Sequence, residues 1–385
     1  MNSRILAVAV LLGLGIGIGA AGAGPAYKNG FPSDRGFFPL GVWLQAPRNA
    51  AEYKAIGINT FVGISGGAGE AGLAALASEG MFAAAMQDGA VLHAPDNHVI
   101  RAWLQEDEPD NAQPIGLGLY GTCIPAREVV RRTRAIAMRD PTRPVMINFG
   151  RGVADPQWRG RGLCGGDMRY YDVAAEGAGL LSFDIYPVSA TSERVRGKLQ
   201  YVARGVRRLV RLAKPGQSVW AIIETTALVA GRPVRPDQLS AEVWMALIAG
   251  ARGIVYFVHE WVGGFREDAI FRHPDIVAEA ARLDRRITAL APVLNSPSIE
   301  GKVAVSSSSP IAVMAKAGGD ALYLFAAAMR DRPVKPRFTI RGAGDGEAVV
   351  IGEGRKVKLG AGSFTDSFAG FGVHLYRIAL RRGND

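Results

Sequence analysis

Short apolar runs alternate along the chain with amphipathic stretches, and each kind of pattern predicts a different element. Eight runs indicate strands. They are Phe38–Leu44, Ile58–Ile64, Met81–Met86, His98–Gln105, Pro144–Phe149, Leu180–Tyr186, Ser218–Glu224 and Gly253–Val258. Apolar residues spaced three or four apart predict helices at Asn49–Ile56, Gly69–Ser78, Ala126–Met138, Asp167–Glu176, 192–213, Ser240–Ala249 and Pro274–Leu290. The alternation predicts a (β/α)₈ TIM barrel over residues 36–295, although the connection from Gln87 to Asn97 is too short for a full helix.

The pattern changes near Asn295-Ser296-Pro297-Ser298. From there, short alternating runs are separated by turns rich in glycine and proline, which is typical of antiparallel sheets. The runs are Val303–Val305, Ile311–Ala315, Ala321–Phe325, Arg337–Ile340, Ala348–Ile351 and Val373–Ile378. Residues 298–385 are therefore predicted to form a small antiparallel β-sandwich domain.

Polar and aromatic side chains follow the predicted strands at their carboxyl ends. In a (β/α)₈ barrel these ends face the active site. Burying so many polar groups there would be costly in a purely structural protein. The candidate substrate-binding residues are Trp43, Gln45, Asp107, Asn148, Asp184, Tyr186, His259, Glu260 and Trp261.

Two strand-end glutamates match the needs of glycosidic bond hydrolysis, which uses one protonated carboxyl and one ionised carboxylate. Glu108 has Asp107 beside it and an apolar strand before it, so we predict that Glu108 is the acid/base. Glu224 precedes two threonines whose hydroxyls could donate to a carboxylate, so we predict that it is the nucleophile, with Glu260 as its main rival. Trp261 would provide an aromatic face for stacking against a sugar ring.

These motifs resemble those of the clan A glycoside hydrolases over residues 36–290. The resemblance rests on Asp107-Glu108-Pro109, Asp184-Ile185-Tyr186-Pro187, Ile223-Glu224-Thr225 and Glu260-Trp261, and on a tail, residues 364–376, similar to the last strands of the appended β-domain. It implies a retaining (β/α)₈ enzyme with its acid/base and nucleophile glutamates on strands four and seven. One position differs, because the family's usual asparagine, which contacts the sugar 2-hydroxyl, is Asp107 here.

Other functions leave other patterns. A non-catalytic carbohydrate-binding protein on the same barrel would also use Trp43 and Trp261, but only a retaining enzyme requires two carboxyl groups about 5 Å apart. A metal hydrolase is disfavoured by five histidines without an H-E-x-x-H motif. No Gly-rich phosphate loop, basic arm or finger motif points to nucleotides or nucleic acid. We therefore expect a carbohydrate substrate and no cofactor or metal.

The first 23 residues predict export. A short basic start precedes an apolar run from Ile5 to Gly19, and Ala21-Gly22-Ala23 fits the pattern cut by signal peptidase. The alternative is an uncleaved membrane anchor, for which the run is short. A periplasmic or extracellular location would favour a disulfide between Cys123 and Cys164, whose loops follow neighbouring strands. The formal net charge of +10 does not separate these destinations.

Overall fold

A closed barrel of eight parallel strands forms the first part of the molecule. The computed structural model describes residues 27–161, 164, 166–228 and 232–379; the predicted signal peptide lies outside them. The strands are β1 Leu40–Gln45, β2 Thr60–Ile64, β3 Phe82–Met86, β4 Ile100–Leu104, β5 Val145–Phe149, β6 Leu180–Phe183, β7 Ser218–Val219 with Ala221–Glu224, and β8 Ile254–Phe257. The first part of β7 pairs with β6, the second pairs with β8, and β8 pairs with β1. The sheet therefore closes on itself, as the sequence predicts.

Helices surround this sheet. They are α1 Ala50–Ala55, α2 Glu70–Ser78, α3 Gly89–His93, α4 Ala126–Arg139, α5 Arg169–Ala174, α6 Gln200–Leu212, α7 Pro236–Ile248 and α8 Pro274–Leu294. The short α3 occupies the connection that the sequence left without a helix. Its cap is Asp88, whose carboxylate accepts the Val91 N–H at 2.8 Å. The helix predicted over 192–213 begins only at Gln200, and α7 begins earlier than predicted because Pro236 fits the first helical position.

The two faces of the barrel strands pack against different partners. Inward side chains such as Val62, Ala102 and Val255 form one apolar cluster. Outward side chains such as Leu40 and Ile223 join the much larger cluster that includes the helices. This alternation follows from the two-residue period of a strand.

Aromatic rings fill the amino-terminal end of the barrel. Phe31 packs on Trp220 with ring centroids 5.1 Å apart, and Phe37 packs on Phe82 at 5.5 Å. Apolar side chains thus close the barrel at this end. A polar functional site is therefore expected at the opposite, carboxyl-terminal end.

The carboxyl-terminal part is built from two antiparallel sheets. Its strands are β9 Val303–Ser306, β10 Ile311–Gly318, β11 Ala321–Ala328, β12 Arg337–Ile340, β13 Gly346–Val350, β14 Arg355–Leu359, β15 Ser363–Thr365 and β16 Val373–Ala379. One sheet has the order β10-β11-β16-β13-β14 and the other β9-β12-β15. They share an apolar core, which confirms the predicted sandwich. The sequence pattern missed β14, an edge strand in which lysine and arginine outnumber apolar residues, and the very short β15.

Helix α7 links the two parts of the molecule. Its Trp244 stacks on Phe325 of β11 with ring centroids 5.8 Å apart, and both rings are fully buried. In the described part of the chain, no helix combines the length and the apolar character needed to cross a bilayer.

Candidate active site

Carboxyl groups from β4 and β6 meet at the carboxyl end of the barrel. Glu108, which follows β4, lies within hydrogen-bond reach of Asp184, which follows β6. The Tyr186 hydroxyl donates to Asp184 Oδ2 at 3.2 Å. Asn148, from β5, donates to Asp107 Oδ1 at 2.8 Å. Five of the residues selected from the sequence therefore form one connected cluster.

The backbone at Glu108 is strained. Its φ of 42° lies in the left-handed region, which is unfavourable for a residue with a side chain. Leu44, near the end of β1, and Leu228, which follows β7, each have a φ of 44°. Such outliers persist only where the surroundings hold them, and they concentrate at functional sites. Here they mark the carboxyl end of the barrel.

Gly150 allows Glu108 to lie close to the backbone that follows β5. A Cβ at position 150 would come within 2.8 Å of Glu108 Oε1. The Glu108 N–H donates to the Asn148 carbonyl oxygen at 3.0 Å, which fixes the two strand ends together. Any side chain at position 150 would displace the Glu108 carboxylate.

Two side chains donate to Glu108 Oε2. Asn111 Nδ2 lies at 2.8 Å, and the Arg161 guanidinium lies at 3.4 Å. Arg161 also lies over the ring of Tyr120, 5.0 Å from its centroid. Both contacts hold the Glu108 carboxylate in place.

Desolvation and crowding of acids change the protonation of the neighbouring carboxyls. Asp107 has accessible surface but is surrounded by protein at the floor of a recess, where desolvation, and then the charge of Glu108, raise its pKa to about 7. Asp184 is buried, and its pKa is raised well above the usual range by desolvation and by Glu108 and Asp107. Both effects favour the protonated form of Asp184.

Asp110 supports the carboxyl cluster through its contacts with Gly150 and Tyr171. Its carboxylate accepts the Gly150 N–H at 2.7 Å and the Tyr171 hydroxyl at 2.7 Å. Burial nevertheless raises its pKa to about 6. Asp110 thus links the loop after β4 to Gly150 and to α5.

Glu224 has different surroundings from Glu108. Its side chain is 0% exposed, and its two oxygens accept the N–H groups of Val188 and Ser189 at 2.6 and 2.8 Å. Its carboxyl group also interacts with that of Glu242 in α7. A nucleophile must touch substrate, so the enclosed carboxylate does not match the role that the sequence suggested.

The remaining predicted site residues divide into structural and exposed groups. Gln45 is 0% exposed, accepts the Tyr53 hydroxyl at 2.7 Å and donates to the Glu267 carbonyl oxygen, so it holds loops and faces no ligand. Trp43 is largely buried in the inner apolar cluster, which Tyr186 contacts. His259 is buried, and its Nε2 lies 3.1 Å from the Leu44 carbonyl oxygen.

The loop after β8 carries the exposed aromatic surface. Trp261 is 44% exposed and stacks on Phe257, which in turn packs on Tyr186 with ring centroids 5.0 Å apart. Phe265 packs against Trp261 at 5.3 Å. The rings form a path from Tyr186 to the surface. Glu260 is paired with His273 at 3.1 Å and lies mostly buried beside this path.

Cys123 and Cys164 are neighbours but free thiols. Cys164 Sγ accepts the backbone N–H of Cys123, so the two loops meet as the sequence predicts. The predicted disulfide is not formed in this structure.

Sequence analysis did not identify Asn111, Arg161 or Glu242 as members of these clusters. No strand-end pattern marks them, because two lie in irregular loops and one lies inside a helix. In the described ranges, no group of three His, Cys, Asp or Glu residues could hold a metal ion.

Comparisons with known proteins give structural likeness only. No family model and no curated protein matches the chain. The α-amylase of Geobacillus thermoleovorans, complexed with acarbose, superposes with a TM-score of 0.54 at 8% identity, covering 93% of this chain and 100% of that one. A putative α-galactosidase/melibiase from Bacteroides fragilis gives 0.54 at 9% identity, covering 89% and 79%. A GH30 endoxylanase from Clostridium papyrosolvens gives 0.50 at 12% identity, covering 89% and 97%. The fold is therefore a TIM barrel with an appended antiparallel β-domain, as the sequence pattern predicted.

Proposed function

We propose that the protein is a glycoside hydrolase whose reacting carboxyls are Glu108 and Asp184. The observation that carries this proposal is their convergence from β4 and β6 within hydrogen-bond reach, beside Asp107 and Tyr186. Catalysis needs one carboxyl that holds a proton and one that does not. Burial raises the pKa of Asp184 and favours its protonated form, and Glu108 accepts hydrogen bonds from two side-chain donors.

These surroundings change the roles expected from the sequence. Asp184 would donate its proton to the glycosidic oxygen as the bond to the anomeric carbon breaks. The Glu108 carboxylate would attack that carbon and form a covalent glycosyl ester. Asp184, now ionised, would take a proton from water, and that water would release the sugar and restore both carboxyls. The two groups lie closer than the separation of about 5–5.5 Å in retaining enzymes and much closer than the roughly 6.5–9.5 Å of inverting enzymes. They would therefore have to separate to admit the sugar, and the retaining route needs the smaller movement.

The aromatic path gives the substrate a place to bind. Trp261 is 44% exposed, and Phe265 packs against it in the loop after β8. Sugar rings have an apolar C–H face that packs on aromatic side chains. We therefore propose an oligosaccharide or polysaccharide substrate that crosses the loop after β8.

The decisive test compares Glu108→Gln, Asp184→Asn and Glu224→Gln on a panel of aryl glycosides and polysaccharides. Loss of turnover in the first two, with the fold retained by circular dichroism, supports the assignment. If Glu224→Gln is the most damaging change instead, the two-glutamate mechanism with Glu224 as nucleophile replaces it. Binding of glycans without turnover by the wild type would indicate a carbohydrate-binding protein.

Product stereochemistry tests the mechanism separately. Proton NMR of the first product formed should show the same anomer as the substrate. The opposite anomer would require an inverting enzyme, and therefore a wider separation of the carboxyls in the complex.

We also propose that the chain is exported and that Cys123 and Cys164 become bridged there. The basic and apolar start of the sequence supports the first point, and the contact between Cys164 Sγ and the Cys123 N–H supports the second. Amino-terminal sequencing of the mature protein and intact mass with and without reductant test both. A mature protein that keeps residues 1–23, or two free thiols after export, would contradict them.

A further inference from the structure

A second pair of carboxyl groups lies sealed inside the protein near the candidate site. Glu224 of β7 and Glu242 of α7 are both 0% exposed. Each acts on the other through a side-chain hydrogen bond, which two carboxyl groups can make only when one carries a proton. Neither oxygen of Glu242 has a donor among the described residues, so the shared proton is what satisfies this buried group.

The ionised member of the pair holds a specific piece of backbone. Glu224 accepts the N–H groups of Val188 and Ser189 at 2.6 and 2.8 Å. The Ser189 hydroxyl donates to the Thr226 carbonyl oxygen at 3.1 Å, which ties the same segment to the end of β7 a third time. A buried carboxylate with two backbone donors is a strong anchor, because the charge and the N–H groups would otherwise be unpaired.

The anchored segment is the continuation of β6 that carries Asp184 and Tyr186. Val188 and Ser189 follow Asp184 by four and five residues, with Pro187 between. The Pro187 carbonyl oxygen is held in turn by the Gly197 N–H at 2.8 Å. Movement of Val188 and Ser189 would therefore shift the Tyr186 ring and, with it, the hydroxyl that donates to Asp184.

We propose that Glu224 and Glu242 form a proton-sharing pair that positions residues 184–189, and that Glu224 contacts no substrate. The inference rests on the proposed function only where activity is measured. It makes Glu242, which no strand-end pattern marks, a positioning residue for Asp184 and Tyr186.

The surroundings isolate this pair from other charges. Glu224 is the charged group that acts on Glu242. Helix α6, which packs on α7, buries the apolar residues Val202, Val206 and Leu209. Helix α8, on the other side, buries Asp284, whose carboxyl accepts the Tyr256 hydroxyl at 2.7 Å. The segment itself contributes Ser189, and β7 contributes Thr225 and Thr226, whose hydroxyls donate to carbonyl oxygens.

Hydrogen exchange read by mass spectrometry tests the anchor without any substrate. Peptides that cover residues 184–199 are compared in the wild type, Glu224→Gln and Glu242→Gln at pH 6 and pH 9, after correction for intrinsic exchange. In Glu224→Gln an amide N–H₂ faces a backbone N–H, so protection of the segment should fall about 10-fold, the effect of one lost hydrogen bond. In Glu242→Gln the amide donates to Glu224 permanently, so protection should persist at pH 9, where that of the wild type declines.

Asp284→Asn is the matched control. It also replaces a buried carboxyl group, here within α8, but Asp284 contacts Tyr256 and not residues 184–189. In Asp284→Asn, the hydrogen-exchange protection of residues 184–199 should equal that of the wild type. Equal protection in Glu224→Gln and wild type, or the same loss in Asp284→Asn, would overturn the anchoring role.

Kinetics separate positioning from chemistry. Glu224→Gln should lower kcat about 10-fold with little change in KM, because the proton donor is misplaced rather than removed. Glu224→Gln should also shift the part of the pH–rate profile that depends on the titration of Asp184. Glu242→Gln should keep the kcat and the pH–rate profile of the wild type. If exchange changes while the kinetics do not, the pair anchors the segment without positioning the acid. If no glycoside is cleaved by any form, the proposed function fails and the exchange result still decides the anchor.

Discussion

The two carboxyl pairs at the carboxyl end of the barrel differ in what satisfies them. Glu108 and Asp184 are surrounded by side-chain donors, namely Asn111, Arg161 and Tyr186, and the Glu108 side chain keeps 17% of its surface. Glu224 and Glu242 have no surface, and Glu224 is satisfied by backbone N–H groups. Side-chain donors can move aside for a substrate, whereas backbone donors of a packed segment cannot. The two pairs therefore differ in the kind of donor that satisfies them, and our proposal assigns the reacting role to the first pair on this basis.

The largest loss of activity is expected when a carboxyl group of the Glu108–Asp184 pair, called the open pair below, is removed. Glu108→Gln should lower kcat/KM by on the order of 10⁴-fold, and Asp184→Asn by about 10²–10⁴-fold, with a smaller loss on substrates that have good leaving groups. Steady-state kinetics on aryl glycosides measure both.

Glu106→Gln is the control for these variants. Glu106 follows the same strand but forms an ion pair with Arg132 at 3.1 Å on the surface. Its activity should match the wild type. Equal losses of activity in Glu108→Gln, Asp184→Asn and Glu106→Gln would mean that any substitution in this region disrupts the local structure.

A backbone change should damage the open pair without removing a carboxyl. Gly150→Ala places a Cβ 2.8 Å from Glu108 Oε1, so the carboxylate must move. Misplacement of a reacting group by about 1 Å costs about 10²-fold in rate. Gly89→Ala, where a Cβ meets nothing within 4 Å, should leave the kinetics unchanged. A fully active Gly150→Ala enzyme would show that Glu108 does not need its present position.

The buried pair of Glu224 and Glu242, called the sealed pair below, should affect how the free energy of unfolding depends on pH. The folded-state pKa of Glu224 is about 7, above its unfolded value of 4.5, and that of Glu242 is raised further by the same burial. The folded protein therefore holds more protons than the unfolded chain between pH 4.5 and 7, and stability falls as pH rises through that window. Each pH unit costs about 1.4 kcal/mol per such group.

Thermal unfolding at pH 5, 6, 7 and 8 measures this slope. Glu242→Gln should flatten it, because the amide does not titrate. Asp107, Asp110 and Asp284, whose pKa values are also raised, keep part of the slope in the variant. A melting temperature that rises toward pH 8 in the wild type would contradict the assignment.

The smallest effect is expected at the aromatic path beside the open pair. Trp261→Ala should raise KM about 10-fold with kcat nearly unchanged, since an aromatic contact contributes about 0.5–1.5 kcal/mol. Trp261→Phe should recover most of the loss. An unchanged KM for every glycan tested would place the substrate elsewhere.

Sequence patterns predicted the barrel because buried parallel strands are continuous apolar runs, such as Val145–Phe149. They also brought Asp107, Glu108 and Asp184 to one end of the sheet, since parallel strands share a carboxyl end. The same rule marked Glu224 as the nucleophile, but it gave no sign of the enclosure produced by the path of residues 187–189. That path depends on tertiary packing that local periodicity does not encode. For the same reason Arg161, which reaches Glu108 from an irregular loop, had no sequence signal.

The stacking of Trp244 on Phe325 has a practical consequence for anyone who wishes to shorten this protein. The helix that carries Trp244 also carries Glu242, so removing the β-sandwich would strip the cover from one side of α7 while its other side holds the sealed pair. Expression of residues 27–295 alone would leave a large indole facing water, and aggregation would be the natural outcome. The β-sandwich covers one side of α7 and should be kept in any truncated version of the protein.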